Sequence, residues 1–179
     1  QALNNKEQPQ LPQPVPFRNY IAWLSQRDYD KAAQFWREQV SQIEQCSALP
    51  FAHYCEKAAL VQREYLELSP DLTHELVSLA KSTRTTLNVV VQAAWAILLS
   101  RANRTSQVTF GTTVSGRPAE LAGVEGMVGL FINTIPAVLD VDPQATLAEF
   151  LVRLQQNYIA RDEFSYFPLS RIQAMLEGQ

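Results

Sequence analysis

Cysteine and histidine are both scarce in this chain of 179 residues, with two of each, and the scarcity excludes several kinds of chemistry. Cys46 and Cys55 stand nine positions apart with no CxxC pair and no neighbouring His/Cys quartet, so neither a zinc site nor a disulfide framework is expected. Reduced structural thiols are the expectation instead. His53 lies beside Tyr54 and Cys55 with nothing nearby to orient a nucleophile pair, and His74 sits in the first turns of a predicted helix where an exposed polar residue is ordinary. Long apolar runs are missing too. The longest, over 89–99, is interrupted by Gln92 and stops at Arg101, too short to cross a bilayer and better read as a buried helix. The N-terminus has no basic start followed by an apolar stretch, which leaves cytoplasmic residence as the default. Neither sign of charge dominates: 15 basic against 18 acidic residues give a net charge of -3, and no nucleic-acid partner is expected.

What the chain does have is enough apolar sequence, 46%, to bury one substantial core, which predicts one domain or one lobe of a larger domain. Residues 8–16 hold four prolines in nine positions and form no ladder or helix, so residues 1–16 are expected to be a connector and 17–179 the folded unit. Helices are predicted over 17–25 and 29–45, the second with Asp28 as its cap and Ala32, Ala33, Trp36, Val40 and Ile43 on one stripe. Alternation over 59–68 predicts an edge strand. Ser69 and Pro70 then open a helix running to about Ser82, and Thr85 or Thr86 opens another through Ala102, so apolar that it is expected in the interior against a sheet. Strands follow over 107–114 and 130–141, with Pro136 marking an edge, and a short helix over 120–127 lies between them. Thr146 and Glu149 have capping-box spacing ahead of a helix to about Glu163, and a last short helix carries Ile172 and Met175. This order predicts an α/β fold, a mixed sheet covered by helices. Three strands alone would leave open edges, so further strands or a partner lobe are expected.

Two polar features stand out. Ser115-Gly116-Arg117-Pro118 combines a hydroxyl, a flexible backbone position and a fixed cation, and read by itself it is a tight turn with Arg117 paired to a local acid such as Glu120. Asn133 falls inside an apolar strand, where its amide requires partners in the strand or a neighbouring lobe. Trp23, Trp36 and Trp95 are expected in packing roles.

Several blocks, in order, carry a resemblance: Phe17-Arg-Asn-Tyr20-Ile-Ala-Trp23, Phe35-Trp36, the 93–101 helix, VTFGTTVSGRP over 108–118 and VGLFINTIP over 128–136. From about Pro16 to its end the chain resembles the C-terminal lobe of a nonribosomal peptide synthetase condensation domain. The resemblance implies the chloramphenicol-acetyltransferase-like architecture, two similar lobes in a V with a tunnel between them. It implies as partners the N-terminal lobe of the same domain and the donor and acceptor carrier proteins, whose phosphopantetheine arms bring the substrates; no cofactor is expected to bind directly. The reaction implied is amide formation between a carrier-bound thioester and an amine. The family's signature His-His-x-x-x-Asp-Gly string does not occur here, so no principal catalytic residue is expected in this chain and the lobe by itself is expected to be inactive. By the same resemblance Ser115, Gly116 and Arg117 would lie along the tunnel wall near the pantetheine arm, and Asn133 would help hold or polarise the thioester. Asn19 stands in place of a usual Asp. Phe164 stands four places before Pro168-Leu169, where relatives often place His before Pro-Phe, and truncation at both ends is expected. A noncatalytic interaction module, or part of a related epimerisation, cyclisation or coenzyme-A-dependent acyltransferase domain, fits the same residues.

Overall fold

The computed structural model describes residues 13–43, 47–49 and 65–177. His53, both cysteines, most of the expected connector and positions 59–64 of the expected strand lie outside them. Residues 65–68 form no strand: their alternation is of mixed polarity, offers no apolar face to bury, and leaves Leu66 88% exposed.

Six helices and two strands make up the described fold, in the order α1 (Arg18–Ser25), α2 (Tyr29–Ser41), α3 (Pro70–Ser82), α4 (Leu87–Asn103), β1 (Gln107–Val114), β2 (Asn133–Asp140), α5 (Leu147–Glu163) and α6 (Leu169–Glu177), with a single 3-10 turn at Val124–Gly126 in place of the expected short helix. The helix starts follow local chemistry. Asp28 Oδ1 accepts from Lys31 N, Ser69 Oγ from Leu72 N ahead of Pro70, and Thr86 Oγ1 from Val89 N, so each cap satisfies an otherwise orphaned amide. Thr146 and Glu149 exchange hydrogen bonds in both directions. None of the helices among the described residues is long and apolar enough to cross a membrane.

The strands run antiparallel in an eight-residue register from Gln107 opposite Asp140 to Val114 opposite Asn133. Side chains alternate across a strand, so Val108, Phe110, Thr112 and Val114 share one face with Leu139, Ala137, Ile135 and Asn133. One end of that face joins α4 and α5 in a cluster with Val89, Ala96, Leu151 and Leu154; the other end, through Ile135 and Val114, joins Trp36 of α2, Phe164, Phe167 and Ile172 of α6. A third cluster of Tyr20, Val124, Met127 and Phe131 ties α1 to the segment between the strands.

Arg161 of α5 lies at the seam between the first two clusters, 1% exposed. Its Nε donates to Asn157 Oδ1 at 2.6 Å, and Nη1 reaches Thr112 Oγ1 at 3.4 Å and the Pro136 carbonyl at 3.5 Å. Lost hydration pushes its pKa down to about 10, with Tyr158 and Asp162 opposing. Pro136 is tolerated because a strand residue's N and C=O point to the same side, and its carbonyl faces α5 rather than β1; the ladder never needed its N–H. On that outer side Thr134 N donates to the Asn133 side chain and the Asp140 carbonyl accepts from Arg153 Nη2.

The strand expected from residue 130 begins at Asn133, because Phe131 turns into the third cluster while Gly129 packs under the Phe17 ring, where a Cβ would come within 2.1 Å. Helix α2 ends at Ser41, short of the expected limit. The expected interior helix, α4, buries only one face: Val89, Val90, Ala93, Ala96 and Leu99 are covered, whereas Leu87, Val91, Leu98 and the tryptophan expected in packing, Trp95, are exposed. No apolar partner covers that second face among the described residues.

The α5 capping box yields a prediction. The Thr146 amide and hydroxyl hold the Glu149 carboxyl below its ordinary range. A lowered folded-state pKa means the contribution is present above the unfolded value and disappears as pH falls through the folded one. Thr146→Ala is expected to cost about 1 kcal/mol in urea unfolding near neutral pH, and the difference from the parent chain shrinks in acid.

Candidate functional site

The turn after β1 is built around one backbone approach. Gly116 has φ +65°, and a Cβ there would lie 1.8 Å from the Phe131 carbonyl oxygen, so both the conformation and the space require glycine. Arg117, next in the chain, does not pair with Glu120 as the sequence suggests. Its guanidinium donates to the Val124 carbonyl and, at 3.3 Å from both terminal nitrogens, to the Met127 carbonyl, and its plane sits 4.0 Å from the Phe131 ring centroid. The carbonyls win because the 3-10 turn aims two acceptors at one planar fork, a match for guanidinium geometry. Ser115 Oγ accepts from Arg117 N at 3.2 Å and fixes the turn from the other side.

Asn133 Nδ2 donates to the carbonyls of Ser165 and Phe167, both at 2.8 Å, and Oδ1 accepts from Thr134 N at 2.9 Å. Both amide protons are thereby committed to the turn between α5 and α6. Tyr166, held between those carbonyls, donates its hydroxyl to the Asp28 carbonyl at 2.8 Å and packs edge-on against Trp23 and Tyr29.

These two constructions meet in a cleft of about 420 Å³. Ser115, Gly116, Arg117 and Pro118 form one wall; Trp23 and Arg27 of α1 and its following loop form a second; Asp162, Ser165 and Tyr166 form the third. Asn133 is not in the wall but holds the third wall in place. Burial pushes the Asp162 carboxyl up, Glu120 acts in the same direction, and Arg161 opposes them. Burial likewise raises the Tyr166 phenol. The cleft thus offers four aromatic side chains, Tyr20, Trp23, Tyr158 and Tyr166, together with hydroxyls and three carboxylates, of which that of Asp162 has its pKa raised. His74 is exposed on α3, away from it, and no His/Cys/Asp/Glu group that could hold a metal occurs among the described residues.

Of the residues singled out from the sequence, Ser115, Gly116 and Arg117 line this cleft and Asn133 does not, whereas Arg27, Asp162 and Tyr166 line it without having been singled out. The available signal is Tyr158 and Asp162 one helical turn apart, which places both along one side of α5, and both line the cleft.

Comparison with known proteins supplies the context. The sequence profile of the family described as "Condensation domain" matches residues 1–179. The chain is 39% identical over 178 residues to a mycosubtilin synthase polypeptide of Bacillus subtilis, a match covering 98% of this chain and 7% of that protein. It is 36% identical over 169 residues to bacitracin synthase 3 of Bacillus licheniformis, covering 94% of this chain and 3% of that one. Among solved structures, the X-domain from teicoplanin biosynthesis superposes with a TM-score of 0.74 at 25% identity, covering 98% of this chain and 41% of that one. The first condensation domain of the calcium-dependent antibiotic synthetase, at 21% identity and a TM-score of 0.79, has the same fold over 98% of this chain and 41% of its own. The chain therefore spans a small fraction of the curated relatives and about two fifths of the solved domains.

Two substitutions test the geometry. Gly116→Ala is expected to destabilise by about 2 kcal/mol or more, since it adds left-handed strain to a clash with a backbone oxygen. Asn133→Asp keeps the shape but turns two donors into acceptors facing two carbonyls, and is expected to cost about 2–3 kcal/mol. Urea denaturation followed by circular dichroism measures both, and an Asn133→Asp chain as stable as the parent would refute the clasp.

Proposed function

The chain belongs to the condensation-domain family, and we propose that it supplies one wall of the cleft in which a nonribosomal peptide synthetase joins a carrier-bound aminoacyl or peptidyl thioester to a carrier-bound amine. In that reaction the amine nitrogen attacks the thioester carbonyl carbon. The C–N bond forms as the C–S bond breaks, and the proton lost by nitrogen ends on the departing thiol sulfur. General-base work needs a group that exchanges protons near neutral pH within reach of the amine, which a His-His-x-x-x-Asp-Gly string in a companion N-terminal lobe would supply. This chain's part is to shape and hold the substrate path: residues 1–16 connect to that lobe, and residues 17–179 form the C-terminal one.

The observation that carries this reading is convergence. Sequence blocks near both ends of the chain and in its middle, including the SGRP turn that bears the family resemblance, line one cleft. Within it Ser115 and the Gly116 backbone contact the phosphopantetheine arm of a carrier protein, whose slender chain needs close backbone approach. Arg117 acts through the loop it fastens, and Asn133 acts as a positioning residue for Ser165 and Tyr166. The companion lobe and the two carrier proteins are the partners, in the cytoplasm, and no cofactor is bound directly.

A second reading, a noncatalytic docking module, draws on one relative: a solved structure of the X-domain, at 26% identity, is of its complex with OxyB from teicoplanin biosynthesis. Reconstitution separates the two. The chain mixed with an N-terminal condensation lobe and loaded donor and acceptor carrier proteins is expected to release amide product, detected by mass spectrometry of the acceptor carrier, whereas the chain alone yields none. Ser115→Ala is expected to lower the rate severalfold, and because it also removes the bond from Arg117 N, urea unfolding of the same variant separates a lost contact from a loosened turn. Product from the chain alone, or carrier binding without product from the reconstituted pair, sinks the condensation reading.

A further inference from the structure

Helix α4 is apolar on both sides, and among the described residues only one side is covered. Leu87, Val91, Trp95 and Leu98 are 41%, 58%, 38% and 50% exposed, and with Ala94 they fall on one stripe at helical spacing, opposite the buried stripe of Val89, Ala93 and Ala96. A helix apolar all round is a buried helix, so this stripe is a surface waiting for a partner. Its electrostatic surroundings say what kind. Residues 76–119 contain no Asp or Glu but carry Lys81, Arg84, Arg101, Arg104 and Arg117, a strongly basic block within a chain of net charge -3. Arg117 is committed to carbonyls elsewhere. Arg101 and Arg104 are exposed, have no hydrogen-bond or ion-pair partner among the described residues, and border a cleft of about 530 Å³ lined by Ile97 and Phe150 at the C-terminal end of α4, where Asp142 is the one carboxylate against the two guanidinium groups.

We propose that the outward face of α4 docks an amphipathic helix of a partner protein, apolar along one side and acidic where it passes Arg101 and Arg104. The apolar row matches the i, i+4, i+7 anchoring of a helix laid along a groove, and the two free guanidinium groups set its orientation. This surface shares no lining residue with the cleft around the SGRP turn.

The probe is a synthetic three-heptad peptide with leucines along one face and glutamates at one end, beside a version with lysines in place of the glutamates. Each is titrated into the 179-residue chain at low salt while tryptophan emission is followed, with the Trp95→Phe chain as the blank. The glutamate peptide is expected to give a saturable blue shift that the Trp95→Phe chain lacks, and the lysine peptide to bind about tenfold or more weakly. Arg101→Glu combined with Arg104→Glu inverts that preference, and Val91→Asp abolishes binding of both peptides. Circular dichroism checks that these surface variants keep the parent helix content, and the comparison of the two peptides needs no variant. Four results would each overturn the proposal. They are no saturable shift, equal affinity for both peptides, self-association of the chain that Val91→Asp dissolves, or a Trp95 already shielded from acrylamide in the free chain.

Discussion

One face of a two-stranded ladder organises most of this lobe. Val108, Phe110, Ala137 and Leu139 give α4 and α5 something to pack on, and Val114 and Ile135, on the same face, do the same for α2 and α6. Between these ends Thr112 interrupts the apolar row, and the buried Arg161 spans the interruption. A guanidinium stripped of water is costly unless its protons find acceptors; Nε and Nη1 find them in Asn157, Thr112 and Pro136 and hold α5 over the ladder in one rotation, while Nη2 is buried with no partner among the described residues. Everything at the C-terminal end of α5, including Asp162 and the turn that carries Tyr166, takes its place from that rotation.

The cleft shows the same economy. Its walls are loops, yet each loop is fastened by side-chain to backbone bonds rather than by ion pairs: Arg117 to Val124 and Met127, Asn133 to Ser165 and Phe167, Tyr166 to Asp28. Such bonds are insensitive to salt compared with the exposed Lys31–Glu163 pair, which is largely screened. A loop held by its own carbonyls also leaves its outward side chains at liberty, and Val128, Leu130 and Ile132 alternate outward with exposures of 82%, 79% and 64%.

Helix starts are legible in the sequence because they rest on local chemistry: Asp28, Ser69, Thr86 and Thr146 each cap as their spacing requires. The extent of β1 is legible from its β-branched residues, whereas the start of β2 is not, because Phe131 belongs to a cluster assembled with α1, far away in sequence. The partner of Arg117 is hidden for a related reason. Charge favours Glu120, but the 3-10 turn that presents two carbonyls exists only after residues 123–127 have folded. Asn133 announces itself as an amide within an apolar strand, although which carbonyls it clasps depends on the meeting of β2 with the α5–α6 turn. The half-covered state of α4 is invisible in a helix whose every side reads as apolar.

The outer rim of β2 is sealed by three unlike devices: the Asn133 amide on Thr134 N, the missing hydrogen of Pro136 with its carbonyl taken by Arg161, and Arg153 on the Asp140 carbonyl. The rim of β1 is held more lightly, with Thr109 N donating to Ser47 Oγ. The two borders of the ladder are therefore unequal: beside β2 three of the outward-facing positions are already occupied, whereas beside β1 less stands in the way of a further strand.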